Sequence, residues 1–212
     1  MDRRGHGESG DASEYSLNKE AEDVAAVVNS LSGTVCVLGH SYGAVAALEA
    51  TFLTERISKL ILYEPPLQDR IDLGVAAKME ELIHKGEREQ ALIVFLQEVV
   101  KVSSGEVAAM RSRPSWSGLV ATIDLQPRQI RALASYRFDA KRISAVTIPT
   151  LLITGSNTAS PELKRAINSL QASLPNSKLA VLEGQEHNAM DSAPEMLAKV
   201  IANFLLNDRH NH

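Results

Sequence analysis

The most constraining feature of this chain is one abrupt junction. The short β-branched run Thr34-Val35-Cys36-Val37-Leu38 passes through Gly39-His40-Ser41 directly into an alanine-rich helical segment, Tyr42 to Leu53. A buried strand that feeds straight into a helix is the repeating unit of a parallel sheet, and the rest of the chain continues that alternation. An amphipathic helix precedes it over about Lys19–Leu31, with Ala21, Val24, Val27, Val28 and Leu31 on one stripe. Ile57–Tyr63 reads as the next strand and stops at Pro65-Pro66. Strand texture returns at Thr150–Thr154, then a helix opens at Ser160-Pro161, with the cap and first-turn proline of a helix start. Lys178–Leu182 is a further strand, and Ser192-Ala193-Pro194-Glu195 reads as a capping box for a last helix running to about Leu206. The fold class is therefore α/β: a parallel sheet with flanking helices.

Between Leu67 and Ile143 the texture is helical without a strand, broken at Gly86, Ser103-Ser104 and Pro114. This divides the chain into a first core part (1–66), a helical insert (67–143) and a second core part (144–212). Such an insert is expected as a lid above the carboxyl ends of the strands, where ligands bind in sheets of this kind. Its apolar residues Leu92, Phe95, Leu96, Met110, Trp116 and Leu119 are expected mostly to build its own core. The first eighteen residues, rich in Gly, Ser, Asp and Glu, read as loop.

Composition narrows the function classes. The 212 residues are 44% hydrophobic and 23% charged, with a net charge of -4, the profile of an ordinary globular protein without a basic face for nucleic acid. No apolar run is long enough for a membrane span, and the start, Met1-Asp2-Arg3-Arg4-Gly5-His6-Gly7, does not resemble a signal peptide, so a cytoplasmic location is expected. The single cysteine, Cys36, sits in an apolar run and reads as a small core residue rather than a reactive thiol. There is no His-x-x-x-His or Cys/His cluster and no phosphate-binding Gly-x-x-x-x-Gly-Lys string, so neither a metal nor a cofactor is implied. The expected partner is a small-molecule substrate, and the oligomeric state is left open.

The chemistry centres on Gly39-His40-Ser41-Tyr42-Gly43, a Gly-x-Ser-x-Gly string between a strand and a helix. A serine on so sharp a turn projects its hydroxyl from the sheet's edge, and backbone crowding there calls for small neighbours, Gly39 and Gly43. The Tyr42 N–H, at the helix N-terminus, is placed to stabilise an oxyanion. Three motifs in order, this one together with Asp2-Arg3-Arg4-Gly5-His6-Gly7-Glu8-Ser9 and Gly184-Gln185-Glu186-His187, resemble the lid-bearing α/β-hydrolase fold, which includes esterases, haloperoxidase-like enzymes and carbon–carbon bond hydrolases. The resemblance covers the carboxyl-terminal three quarters of that fold. It implies that strands before the Asp-Arg-Arg-Gly loop, and a His-Gly loop with a second oxyanion donor, are missing, which would leave the strand at Thr34–Leu38 with an open edge.

What the resemblance implies for function is a serine-type hydrolase of small, largely apolar esters or related carbonyl compounds. Ser41 would be the nucleophile and His187, in the loop after the last strand, its general base. Of the other histidines, His40 packs at or lines the site, His6 belongs to the first loop, His84 lies on an insert helix, and His210 and His212 are in a polar tail. The acid departs from the family pattern. Its usual loop reads Gly155-Ser156-Asn157, and an amide there can set a tautomer without offsetting the imidazolium charge. Glu64, which ends the preceding strand in Tyr63-Glu64-Pro65-Pro66, is the other candidate; Glu162 instead favours the dipole of its helix. The rival reading is a non-catalytic, hydrolase-like binding protein or an inactive fragment.

Overall fold

The structure, a computed structural model, describes residues 1–67 and 71–206; His210 and His212 lie outside them. Four strands, β1 (Val35–His40), β2 (Ile57–Tyr63), β3 (Thr150–Gly155) and β4 (Ser177–Leu182), form a wholly parallel sheet in the order β1-β2-β3-β4. Side chains alternate across a strand, so a sheet covered on both faces needs apolar residues at every position. On one face Leu60, Leu62 and Leu152 pack with Ala44, Ala47 and Leu48 of α2 (Tyr42–Ala50) and with Ile167 and Leu170 of α9 (Pro161–Ser173). On the other, Ile61, Tyr63, Leu151, Ile153 and Leu182 pack with Leu197, Ile201 and Phe204 of α11 (Pro194–Leu206).

Helix α1 (Leu17–Ser30) buries Leu17, Ala21, Val24, Ala25 and Val28. Its buried stripe is turned toward Ala25, and Val27 and Leu31 are left exposed. The carbonyls at its carboxyl end are taken up by the Arg56 guanidinium, which donates to the carbonyls of Asn29 (2.7 Å), Gly33 (2.8 Å) and Leu31.

The chain divides into two compact units, Asn18–Gln68 with Arg137–His212, and Met1–Leu17 with Asp69–Tyr136. The second is the helical one: α3 (Leu73–His84), α4 (Arg88–Val94), a π-helical turn (Phe95–Val100), α5 (Ser104–Arg111), α6 (Trp116–Ala121), a 3-10 turn (Ile123–Leu125) and α7 (Gln126–Ser135). Met79, Leu92, Leu96, Trp116 and Ile123 form its core, with Phe95 and Met110 at the margin. Leu119 is exposed, unlike the others expected there. The first seventeen residues group with these helices because α7 holds them. Arg128 bonds Asp11 at 2.8 Å and stacks on Tyr15, and Arg3 donates to Gln129 at 3.3 Å. In the sheet unit, α8 (Ala140–Ile143) and α10 (Ala189–Ser192) are single-turn helices.

Two local expectations are corrected. Cys36 is exposed rather than in the core, because β1 is an edge strand and Cys36 and Leu38 share its uncovered face while Val37 packs inward. The capping box at Ser192 does not form: Ser192 closes α10, and its hydroxyl donates to the Gln185 side chain at 2.7 Å. A complete capping box is found instead between Ser103 and Glu106, at the start of α5.

Because Leu152 has no exposed surface, Leu152→Ala should cost about 2–5 kcal/mol in urea unfolding. Cys36→Ser, at an exposed site, should stay within about 0.5 kcal/mol of wild type.

Candidate active site

All the residues singled out for chemistry lie in the sheet unit, at the carboxyl ends of its strands. Ser41 follows β1 and precedes α2 with φ 53 and ψ -126, a backbone conformation that costs a non-glycine residue about 1–3 kcal/mol. Two hydrogen bonds hold it there: its N–H donates to the Tyr63 carbonyl at 2.9 Å, and its carbonyl accepts from the Ala44 N–H at 2.9 Å. Tyr42 begins α2, which places its N–H at the helix's positive end.

The turn admits no side chain at Gly39, where a Cβ would lie 2.5 Å from the Ala44 Cα and 2.5 Å from the Gly43 carbonyl oxygen. Gly43 is different from expectation: a Cβ there meets nothing within 4 Å, because it points away from the turn. Only the first glycine is demanded by crowding.

Glu64 immediately follows β2, fully buried, with φ 45. Its Oε1 accepts from the Thr154 hydroxyl at 2.8 Å, the Gly155 N–H at 2.9 Å and the Thr158 hydroxyl. Its Oε2 lies 2.7 Å from Nδ1 of His187. Burial alone would raise the carboxyl's pKa, but the bonds from His187, Thr158 and Gly155 outweigh it and hold the pKa below its ordinary value. Glu64 thus favours the folded state above the ordinary carboxyl pKa, and that contribution is lost as pH falls through the lowered value. The bond also fixes the histidine: Nδ1–H donates, which leaves the Nε2 lone pair open.

Asn157 does not join this pair. Its N–H donates to the Gln185 carbonyl at 2.9 Å and its amide to the Gly184 carbonyl at 3.4 Å, so it fastens the backbone of the loop that carries His187. Glu162 sits in the first turn of α9 as expected, its pKa lowered by its own backbone N–H and by Ser160. His40 packs beside the site, its ring centroid 4.5 Å from that of His187. Thr154 and Thr158 carry no signal in the sequence, since no spacing marks two hydroxyls that converge on a carboxylate only in three dimensions. Among the described residues no group of His, Cys, Asp and Glu is arranged to hold a metal. No helix among them is long and apolar enough to cross a membrane.

A parallel sheet with a serine on a strand-to-helix turn and a carboxylate-bound histidine on a neighbouring loop defines the α/β-hydrolase class of protein. The chain belongs to the alpha/beta hydrolase family, whose sequence profile matches residues 1–200. Among solved structures it is similar to an alpha/beta hydrolase from Sphaerobacter thermophilus, at 31% identity and a TM-score of 0.81 over 96% of this chain and 80% of that one. A thermophilic esterase from Thermogutta terrifontis shares the fold at 21% identity and a TM-score of 0.70, over 96% of this chain and 77% of that one. MenH from S. aureus does so at 16% identity and a TM-score of 0.72, over 99% and 83%. No curated protein sequence matches the chain.

Gly39→Ala should prevent the turn from closing, with loss of soluble folded protein or a fall of more than about 2 kcal/mol in stability. Gly43→Ala should hold or raise thermal stability, since alanine is favoured over glycine inside a helix by about 1 kcal/mol. Thermal unfolding of the two variants checks both.

Proposed function

We propose that this protein is a serine hydrolase that cleaves small, largely apolar esters through an acyl-enzyme, without metal or cofactor and in the cytoplasm. The observation that carries the reading is the 2.7 Å bond between the fully buried Glu64 carboxylate and His187. In this mechanism Nε2 of His187 takes the proton as Ser41 Oγ attacks the substrate carbonyl. Glu64 holds Nδ1–H and offsets the imidazolium charge as it forms. The Tyr42 N–H stabilises the oxyanion of the tetrahedral intermediate. His187 then passes its proton to the leaving alcohol, and a water activated by the same imidazole releases the acid and restores Ser41.

The geometry favours this over a non-catalytic binding protein for one reason. Asn157 in the acid position was one of two grounds for the binding reading, and the Glu64 carboxylate on the imidazole answers that ground. The esterases among the structural neighbours share the fold and leave the substrate to be determined by assay.

Ser41→Ala should abolish both p-nitrophenyl ester turnover and covalent labelling by a fluorophosphonate probe. Glu64→Gln should lower kcat by about 10³–10⁴-fold, and Asn157→Ala should stay within about threefold, as a loop fastener of modest effect. Undiminished labelling of Ser41→Ala, or a larger loss from Asn157→Ala than from Glu64→Gln, would overturn the assignment.

A further inference from the structure

We propose that Tyr63 and His40 are positioning residues that hold the His187 loop by its backbone and so set the imidazole against the nucleophile. This rests on the reading of Ser41, Glu64 and His187 as the reacting set.

His187 is carried by the segment between the end of β4 at Leu182 and the start of α10 at Ala189, which turns at Gly184 with φ 71. A loop of this kind has no ladder of its own to hold an imidazole within the tolerance that proton transfer demands. Asn157 and Ser156 hold its first half at Gly184 and Gln185, and two side chains from the sheet hold the half that bears His187. The Tyr63 hydroxyl donates to the carbonyl of Glu186 and accepts from the N–H of Ala189 at 3.2 Å. It therefore grips the chain on both sides of His187, using the donor and an acceptor site of one hydroxyl. The His40 Nε2–H donates to the carbonyl of His187 itself at 2.9 Å. Its ring lies between the other two, with centroids 5.0 Å from Tyr63 and 4.5 Å from His187.

Satisfying a buried phenol would need only one partner anywhere. These bonds instead converge on residues 186, 187 and 189 of one loop. Tyr63 touches the other corners as well: its carbonyl accepts the Ser41 N–H, and Glu64 is its chain neighbour. One residue of β2 thus ties nucleophile, acid and base to a common strand end.

The protonation states suit the task. Burial pushes the Tyr63 hydroxyl up to about 12, so it remains an O–H at neutral pH. Burial, reinforced by the neighbouring His187, pushes His40 down to about 4. A neutral His40 donates through Nε2 and places no second positive charge beside the imidazolium that forms on His187 during attack.

The experiment compares wild type with Tyr63→Phe, which removes the hydroxyl and keeps the ring, and with His40→Phe and His40→Gln. Each is measured for kcat and KM on p-nitrophenyl acetate, with folding checked by circular dichroism. Tyr63→Phe should lower kcat by about 10- to 100-fold with KM within about twofold, the signature of a misplaced catalytic group rather than lost binding. His40→Phe should do the same to a lesser degree, and His40→Gln, which keeps an N–H donor at that reach, should recover most of the loss. Since both act on one loop, the double variant Tyr63→Phe/His40→Phe should fall short of the product of the single losses. Wild-type kcat in folded Tyr63→Phe, or strict additivity of the two losses, would overturn the proposal. Should Tyr63→Phe fail to fold, the His40 pair decides by the presence or absence of rescue by Gln. Ser41→Ala run alongside separates the two levels: activity that survives it sinks the hydrolase reading and this proposal together. Activity lost in Ser41→Ala but kept in Tyr63→Phe sinks only the positioning role.

Discussion

A carboxylate with no exposed surface is the interaction on which the rest of the site depends. Removing an ionised Glu from water is costly unless every oxygen finds donors. Glu64 finds them on two neighbouring segments: Thr154, Gly155 and Thr158 at the end of β3, and His187 after β4. Those donors belong together only if β2, β3 and β4 end at matching heights. The parallel registers, with Tyr63 opposite Ile153 and Gly155 opposite Leu182, make them do so. The carboxylate–imidazole hydrogen bond thus follows from the sheet's alignment, and a slip of one residue in any strand would leave the buried carboxylate short of donors.

Close packing of backbones is the second condition. A Cβ on Gly155 would lie 2.2 Å from the Gln185 carbonyl oxygen, so only glycine lets the loops after β3 and β4 lie against each other. Asn157 and Ser156 then bind Gly184 and Gln185 along the same seam. Asn157, in the loop after β3, is part of the mounting for the histidine, while the carboxylate that meets the imidazole, Glu64, comes from the end of the neighbouring strand β2.

Strain is concentrated where chemistry is proposed. Among the described residues, Ser41, Glu64 and Lys101 are the non-glycine positions with positive φ, and two of these three belong to the site. Each of the two is pinned by a bond from its N–H to the neighbouring strand, Ser41 to Tyr63 and Glu64 to Ile153. The apolar layers on both sheet faces supply the stability that offsets such conformations.

By itself the sequence determined the order of strands and helices, the elbow at Ser41 and the place of His187, because these are local matters. Period, β-branching, glycine and a cap at Ser160 act within a few residues of one another. Tertiary structure alone decided which of Glu64 and Asn157 meets the imidazole, since the two lie 123 and 30 residues from His187 in the chain and no local signal compares such distances. It also decided that Cys36 is exposed, because an apolar run reads as buried until the number of strands beside it is known. Thr158 and Tyr63 gain meaning the same way: a hydroxyl has no visible role in a sequence until folding puts a carboxylate or a loop carbonyl within hydrogen-bond reach.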